Sequence, residues 1–206
     1  LLREPAAPRR PALPKTALKP AGPDEAKRRL RQELAKARAE IEQLKATAET
    51  DFLLDILNRR GFERELARSI AFIKRYRAKA ALLALDVDRL KPINDAFGHA
   101  AGDKVLKAIA QALSSQVRAS DVIGRLGGDE FAVLLWNLSE TDARAKAAML
   151  EEAIDGLRFP FGGKSVQTGA SVGVAILDSH SEVRTALEQA DSAMYVRKAQ
   201  RRHEAP

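Results

Sequence analysis

Two acidic clusters have residue types and spacing that could do chemistry. Residues 86–88 (Asp-Val-Asp) end a short apolar run, and residues 127–130 (Gly-Gly-Asp-Glu) separate two further apolar runs. Taken singly, the first cluster is typical of a solvated strand end and the second of a hairpin turn. Carboxylates and main-chain carbonyls are the ligands that Mg²⁺ prefers. Two such clusters at the ends of different strands could together hold two Mg²⁺ ions across a triphosphate, as in two-metal phosphoryl transfer.

The elements that must position these clusters follow from the spacing of apolar residues. Residues 80–87, 122–126 and 131–136 have the length and composition of strands, and the last two flank the Gly-rich turn. Helical spacing predicts helices near 62–73, 105–113, 141–157 and 183–194, and residues 166–177 form a run rich in small and β-branched types. Gly127 and Gly128 are expected to permit positive φ and to leave room for a ligand. Helices mixed with a hairpin indicate an α+β sheet covered by helices.

The N-terminal quarter has a different composition. Residues 1–23 carry six of the nine prolines (Pro5, Pro8, Pro11, Pro14, Pro20, Pro23), which predicts a disordered linker. Over residues 24–50, apolar residues recur at steps of four and three, the pattern of a coiled-coil seam: Leu30, Leu34, Ala37, Ile41, Leu44 and Ala48. A single amphipathic helix lying on its own domain is the alternative.

Composition limits the function classes. The 206 residues contain no cysteine and three histidines, which excludes disulfides and thiol nucleophiles and leaves oxygen ligands or the histidines for any metal. The same absence fits a reducing, cytoplasmic compartment. No run approaches the ~20 apolar residues that cross a bilayer, so we expect no membrane contact within this chain. Because the chain starts at Leu1, it is compatible with being part of a longer protein that has an upstream sensor.

The net charge of +7 favours an anionic partner such as a nucleotide or a nucleic acid. Residues 1–23 hold five cations (Arg3, Arg9, Arg10, Lys15, Lys19) and one anion (Glu4), so four of the seven net charges lie in the linker. The remainder is only mildly basic, and no aromatic platform for stacking bases accompanies the charge. We therefore expect no nucleic-acid binding, although a basic nucleic-acid-binding protein is one alternative.

Residues 125–131 (RLGGDEF) resemble the signature of the GGDEF diguanylate cyclases. The resemblance covers about residues 51–202, including residues 58–60 (NRR), 86–103 (DVDRLKPINDAFGHAAGD), 171–175 (SVGVA) and 190–198. It implies a ferredoxin-like palm similar to that of adenylyl cyclases, with a mostly antiparallel central sheet. It also implies a diguanylate cyclase domain over 51–204, behind the coiled-coil helix.

The resemblance also implies roles for individual residues. Metal would be held by Asp86, the carbonyl oxygen of Val87, Asp129 and Glu130, with two Mg²⁺ per site or Mn²⁺ instead. Asp129 would lie nearest the reacting hydroxyl, and Lys91 would neutralise the triphosphate beside these catalytic acids. Lys198 and Arg202, four residues apart on the last helix, would meet the terminal phosphate. The substrate-binding set also includes Gly127, Gly128 and Leu90, and Leu90 replaces a common Phe.

The base and product sites complete the implied set. Asn94 and Asp103 would recognise guanine, because a carboxylate accepts from its ring N–H and amino group and an amide can satisfy the remaining edge. Taken singly, Asn94 could cap a turn or helix and Asp103 could be a first-turn acid. Arg118 and Asp121 precede the Gly-Gly turn at the spacing of the family's product-binding inhibitory motif. In that motif the Arg stacks on guanine and the Asp pairs with its N–H groups.

The sequence departs from the family pattern in two segments. Leu54-Asp55 replaces the Thr-Gly pair that usually follows the first Asp-x-Leu, which questions the usual hydrogen bonding between stalk and domain. Arg201 and His203 replace the usual Gly and Asn around Arg202, which affects how far that arginine reaches. Neither departure removes a metal ligand.

These observations predict an enzyme that condenses two GTP molecules into cyclic dimeric GMP and pyrophosphate, across a homodimer, with feedback inhibition by the product. The alternative is a non-catalytic receptor that binds cyclic dimeric GMP through Arg118 and Asp121. The three metal-facing acids, Asp86, Asp129 and Glu130, argue against a pure receptor.

Overall fold

The computed structural model describes residues 23–204. The helices in that range are α1 (Pro23–Thr47), α2 (Arg59–Tyr76), α3 (Leu90–Phe97), α4 (His99–Gln116), α5 (Glu140–Asp155) and α6 (Val183–Glu204). The strands are β1 (Leu57–Asn58), β2 (Ala80–Asp88), β3 (Val122–Arg125), β4 (Glu130–Trp136), β5 (Arg158–Phe161), β6 (Lys164–Gln167) and β7 (Gly169–Leu177). Helix α1 and the part that begins at Ala48 are two separate compact units.

The main sheet has five strands in the order β1-β3-β4-β2-β7. Only the short β1–β3 pair is parallel, and β3–β4, β4–β2 and β2–β7 are antiparallel. The remaining two strands, β5 and β6, form a separate hairpin. The predicted α+β fold with a mostly antiparallel central sheet is confirmed.

Both faces of the sheet are covered, which explains the unbroken apolar run of β2. Leu83 and Leu85 face a core built with α3, α4 and α5, whereas Leu82 and Ala84 face a second core built with α2 and α6. Alternate residues of one strand point to opposite faces, so a strand buried on both sides needs apolar residues throughout. Asp86 and Asp88 continue the α2–α6 face, at the point where the strand leaves the core.

Three elements were not predicted from the sequence, β1, α3 and β5, and neither was the break between β6 and β7. The predicted run 166–177 is interrupted at Thr168, whose hydroxyl donates to the carbonyl of Asp88 (2.7 Å). The β5–β6 hairpin is short, and Phe161 packs against Phe97 of α3 with ring centroids 5.5 Å apart. The hairpin therefore joins the core through aromatic contacts.

Helix α1 begins with two acids in its first turn, Asp24 and Glu25, which suit the positive end of the helix dipole. The predicted seam residues Leu30, Leu34, Ile41 and Leu44 are 50–65% exposed. The helix ends at Thr47, before Ala48, and its pairing with a second copy stays a prediction. The predicted linker over 1–23 lies outside the described residues except for Pro23. Within residues 23–204 no helix is both long and apolar enough to cross a membrane.

Candidate active site

The two acidic clusters meet at one end of the sheet. Asp86 lies directly opposite Glu130 in the β2–β4 register, and opposite Ser171 of β7 on its other side. Residues directly opposite each other in a sheet project from the same face. The backbone N–H of Val87 donates to the carbonyl of Asp129 (2.9 Å), which ties the hairpin turn to the end of β2. The sequence-predicted convergence of these clusters is therefore present.

Each of the two facing carboxylates has a cation beside it. The ammonium of Lys198 on α6 contacts Asp86 Oδ1, and these side chains are only 23% and 15% exposed. Arg59 at the start of α2 lies 3.3 Å from Glu130 Oε2, in a more exposed pair. The sequence predicted a phosphate contact for Lys198, and in this structure it pairs with a metal-ligand candidate.

The donor set at this end of the sheet fits a hard divalent cation. Among the described residues, no group of three or more His, Asp or Glu side chains could hold a metal ion alone. A metal there needs main-chain oxygen in addition to Asp86 and Glu130, as the expected role of the Val87 carbonyl requires. The buried hydroxyl of Ser171, opposite Asp86, has no hydrogen-bond partner. An all-oxygen set with an unsatisfied hydroxyl nearby suits Mg²⁺ better than a softer ion.

A cleft of about 600 Å³ opens beside these acids. Of the predicted site residues, Lys91, Asp129, Lys198 and Arg202 line it, together with Val87 and Leu90. Leu90 is only 7% exposed and belongs mainly to the core, so it forms part of the wall. The cations in the lining give this cleft the chemistry to bind a polyphosphate.

The two predicted guanine-reading residues lie on the neighbouring α3–α4 pair and do not line this cleft. The Asn94 Oδ1 atom is buried without a hydrogen-bond partner. It is packed so closely on Gly102 that a Cβ built there would lie 2.0 Å away. Asp103 follows Gly102 and is exposed. The exposed carboxylate of Asp103 is suited to a ligand that offers several N–H groups, whereas the buried Asn94 oxygen faces Gly102.

The Gly-Gly turn differs from the prediction. Neither Gly127 nor Gly128 is among the residues with positive φ, so the turn does not use the positive φ that these glycines permit. Gly127 instead leaves space for the Glu130 side chain, because a Cβ at position 127 would lie 2.6 Å from Glu130 Oε2. Arg125 holds the turn instead, donating to the carbonyls of Gly127 (3.0 Å) and Gly128 (2.7 Å).

The segment that enters the domain is tied to the same arginine. Asp51 Oδ2 lies 3.1 Å from Arg125 Nη1, and both side chains are mostly buried. Asp51 Oδ1 also accepts from the backbone N–H groups of Leu53 and Leu54 (2.9 and 3.0 Å). Asp55 takes a left-handed φ of 55°. Although Leu54-Asp55 departs from the family pattern, the entry segment is anchored to the hairpin.

Sequence reasoning missed a network of charges beside the cleft. Arg201 of α6 donates to both carboxylate oxygens of Asp155 on α5 (2.7 and 2.8 Å), and lies within 3.7 Å of Asp88 and 3.4 Å of Glu151. Glu151 is also paired with Arg197 (2.8 Å). Only the departure from Gly at position 201 drew attention to this position in the sequence.

Burial shifts the pKa values of two charged groups in this network. Burial raises the pKa of Asp88 above its ordinary value, and the nearby Arg201 and Lys198 offset only part of this effect. Burial lowers the pKa of Arg201, but its hydrogen bond to Asp155 and the charges of Asp155, Glu151 and Asp88 together outweigh burial, and the net pKa is raised. Arg201 therefore stays charged.

Arg118 and Asp121 lie in the turn between α4 and β3. They line a second cavity of about 390 Å³, together with Thr50, Asp55 and Ser114. Asp121 is already engaged: its carboxylate accepts from the backbone N–H groups of Arg118 (2.9 Å) and Trp136 (3.0 Å). The Arg118 side chain is exposed.

Comparison with known families identifies the domain. Residues 48–204 match the family model described as "Diguanylate cyclase, GGDEF domain". This chain belongs to the GGDEF diguanylate cyclase family. The resemblance inferred from RLGGDEF is thereby confirmed.

Similar proteins support the family and the fold. Over 156 residues the chain is 40% identical to the diguanylate cyclase TpbB of Pseudomonas aeruginosa, covering 74% of this chain and 35% of that protein. A crystallised GGDEF domain of the same Pseudomonas protein has a TM-score of 0.68, covering 73% of this chain and 89% of that one. The GGDEF domain of DgcB from Caulobacter crescentus, in complex with c-di-GMP, is 25% identical with a TM-score of 0.71, covering 74% and 91%. The chain thus spans about a third of the length of TpbB.

Proposed function

We propose that this GGDEF domain is a diguanylate cyclase that condenses two GTP molecules into cyclic dimeric GMP and two pyrophosphates. The observation that carries the proposal is the pairing of Asp86 with Glu130 across β2 and β4, beside a cleft that contains Lys91, Lys198 and Arg202. A cluster of acids next to a cluster of cations suits a polyphosphate and its divalent metal. Relatives named diguanylate cyclases support the reaction class.

Binding and orientation follow from the residues of the cleft and its neighbours. Lys91, Lys198 and Arg202 bind the triphosphate, and Arg202 is best suited to the terminal phosphate because its guanidinium can donate two parallel hydrogen bonds. Asn94 and Asp103 bind guanine, since the exposed Asp103 carboxylate accepts from the ring N–H and the amino group, and an amide can satisfy the remaining edge. The base is thus bound by α3 and α4, and the triphosphate by Lys91 at the start of α3 and by two cations of α6.

The reaction forms one bond and breaks one in each half. A 3′-hydroxyl oxygen of one GTP attacks the α-phosphorus of the other, the P–O bond to pyrophosphate breaks, and the hydroxyl proton passes to solvent water. Asp86, Glu130, Asp129 and the Val87 carbonyl would hold two divalent ions, Mg²⁺ or Mn²⁺, which when bound increase the acidity of the hydroxyl and neutralise charge on pyrophosphate. Asp129, at the turn, orients the hydroxyl.

Two domains are needed, because each cleft binds one GTP and the attacking hydroxyl must come from the other. The exposed seam of α1 supports a homodimer in which two stalk helices pair. Linking two domains raises the effective concentration of one cleft for the other. Activity should therefore depend on dimerisation.

Product feedback is part of the proposal. The 390 Å³ cavity at Arg118 and Asp121 offers a guanidinium and a carboxylate to cyclic dimeric GMP. Product bound there could fix two domains in a non-facing arrangement. The complex of DgcB with c-di-GMP is consistent with product binding in this family.

The test is product formation. The protein is incubated with GTP and Mg²⁺, and cyclic dimeric GMP and pyrophosphate are quantified by chromatography. Glu130→Gln should reduce the rate by at least about a hundredfold with an unchanged melting temperature, because it removes a charged metal ligand from the exposed end of a strand. Glu65→Gln, an exposed acid paired with Arg68 on α2, is the matched control and should keep its rate.

A single outcome would replace this function with the alternative. If no product forms at high protein concentration while cyclic dimeric GMP still binds, the domain is a receptor. Product formation that survives in Glu130→Gln would remove the acidic cluster from the mechanism.

A further inference from the structure

Helix α6 presents two adjacent rows of cations to two different partners. Lys198 and Arg202 line the cleft, and Arg197 and Arg201 pair with carboxylates of α5. Arg201 also reaches the cleft wall, together with its partner Asp155. In each row the residues are four apart, so they lie one above the other, and neighbouring rows differ by about 100° around the axis. A small rotation of α6 would therefore move both cleft cations together.

Arg201 fixes this rotation at the end nearest the cleft. Its guanidinium donates to both oxygens of Asp155, with Glu151 and Asp88 at 3.4 and 3.7 Å. These carboxylates come from α5 and from the end of β2, so one side chain connects three elements. Its side chain is only 20% exposed, which makes the ion pairs stronger than those of a surface arginine.

Gly169 leaves room for the contact between Arg201 and Asp155. A Cβ at Gly169 would lie 2.7 Å from Asp155 Oδ1, 2.9 Å from Arg201 Nη2 and 3.3 Å from Asp88 Oδ2. Three charged groups thus converge over a residue that has no side chain. The carbonyl of Asp88 also accepts from Thr168 Oγ1 (2.7 Å), so the end of β2 is held from two directions.

We infer that Arg201 is a positioning residue for triphosphate recognition: through Asp155, Glu151 and Asp88 it sets where Lys198 and Arg202 face the cleft. The inference rests on the proposed use of that cleft for GTP. Arg201 acts through α6 and does not itself bind a phosphate, because each of its three guanidinium nitrogens faces a carboxylate. Nη2 donates to both oxygens of Asp155, Nη1 lies 3.4 Å from Glu151 and Nε lies 3.7 Å from Asp88. Its substitution should weaken recognition of the outer phosphates more than recognition of the nucleoside part.

The experiment measures binding without turnover. An α,β-methylene analogue of GTP, in which the P–O–P link that the reaction breaks is replaced by carbon, is titrated calorimetrically in the presence of Mg²⁺, and GMP is titrated in parallel. Arg201→Gln should weaken binding of the analogue about tenfold and that of GMP less than about twofold. Asp155→Asn should have the same effect, and the double variant should be no weaker than either single variant, because both remove one interaction. Arg201→Lys should fall between Arg201→Gln and the unmodified protein.

The control is Arg184→Gln, an exposed arginine on the same helix that pairs with Glu188. It should change neither affinity. A direct phosphate contact by Arg201 makes the opposite prediction for its partner: Asp155→Asn would release the guanidinium, and the analogue would bind equally well or more tightly. That result, or equal weakening of the analogue and GMP, would overturn the inference. If Arg201→Gln does not fold, Asp155→Asn and Arg201→Lys still decide it.

Failure of this inference and failure of the proposed function are separate outcomes. A protein that binds the analogue in the Arg201-dependent way but makes no cyclic dinucleotide would keep the inference and lose the cyclase function. A protein that makes the product with affinities insensitive to Arg201 and Asp155 would do the reverse. Absence of analogue binding to the unmodified protein would overturn both.

Discussion

Asp51 and Arg125 form a mostly buried ion pair, with 3.1 Å between carboxylate and guanidinium, although 74 residues separate them. The same arginine donates to the carbonyls of Gly127 and Gly128. The first residues of the domain and the turn that carries Asp129 are therefore held by one side chain.

Asp51→Asn should destabilise both the fold and the site. It removes the charge that Arg125 is paired with in a mostly buried position, and breaking such a pair costs about 3 kcal/mol. We expect a loss of that size in the free energy of unfolding, measured with urea, and a fall in the initial rate of product formation at temperatures where the variant is folded. Glu63→Gln is the control, since its contact with Arg59 is long (3.7 Å) and exposed, and should cost about 0.5 kcal/mol or less. An unfolding curve for Asp51→Asn that matches the unmodified protein would contradict this role.

Substitutions of Arg118 and Asp121 should both weaken product inhibition, but only the substitution of Asp121 should reduce the free energy of unfolding. Asp121 accepts from two backbone N–H groups, so Asp121→Ala leaves two donors unsatisfied, at about 1–3 kcal/mol each where they are buried. Arg118→Ala removes an exposed side chain and should leave the free energy of unfolding nearly unchanged. Both variants should lose inhibition in progress curves with added cyclic dimeric GMP, by roughly ten- to a hundredfold in inhibitor affinity for Arg118→Ala. Unchanged inhibition in Arg118→Ala would remove this cavity from the regulation.

The sequence predicted the parts of the site that depend on local patterns. Residues 86–88 follow a long buried strand and residues 127–130 lie between two strands, so spacing alone places both clusters at strand ends. Apolar periodicity could not reveal β1, which has two residues, or α3, in which only Leu90 and Ile93 are buried.

The remaining differences depend on tertiary contacts. Gly127 was expected to permit positive φ, but the turn does not use it, and the glycine leaves space beside Glu130 instead. The partners of Arg201 lie 46 and 50 residues away on α5, and one of them is 113 positions away on β2. No sequence pattern relates residues at such separations, because they meet only when α5 and α6 pack at the β7 edge.

The contributions of two acids, Asp88 and Asp142, to the stability of the fold should change with pH in opposite directions. Burial raises the pKa of Asp88, so the folded state binds its proton more tightly than the unfolded chain does. Its contribution to stability then falls as the pH rises from about 4 through the folded pKa, and is constant above it. Without metal or nucleotide, Asp88→Asn should therefore melt higher than the unmodified protein near pH 7, and the difference should disappear below about pH 4.

Asp142 provides the opposite case. Hydrogen bonds from Ser139 at the start of α5 lower the pKa of Asp142, so its stabilising contribution is present above the unfolded pKa and is lost as the pH falls through the folded one. Asp142→Asn should melt lower near pH 7 and approach the unmodified protein in acid. Calorimetric melting from pH 3 to 8 measures both variants, and shifts of the same sign at pH 7 would contradict the assignment.

The effect of the stalk on activity should depend on protein concentration. Leu34→Pro places a helix breaker at a seam position, at a cost of roughly 3 kcal/mol or more. We expect lower specific activity at dilute protein and recovery when the protein is concentrated, because a second domain is then available without the stalk. Lys36→Ala, off the seam, should keep the concentration dependence of the unmodified protein. Activity in Leu34→Pro that does not depend on concentration would uncouple the stalk from catalysis.

Three of the glycines near the cleft and its helices mark places where an added atom would meet its neighbours. A Cβ at Gly173 would lie 2.0 Å from the backbone nitrogen of Met194, one at Gly102 would strike Asn94, and one at Gly169 would strike Asp155 and Arg201. A random screen for inactive variants should therefore return these positions beside the acids and cations of the cleft. Such alleles would be inherited as losses of signalling even though every residue proposed to bind nucleotide is intact.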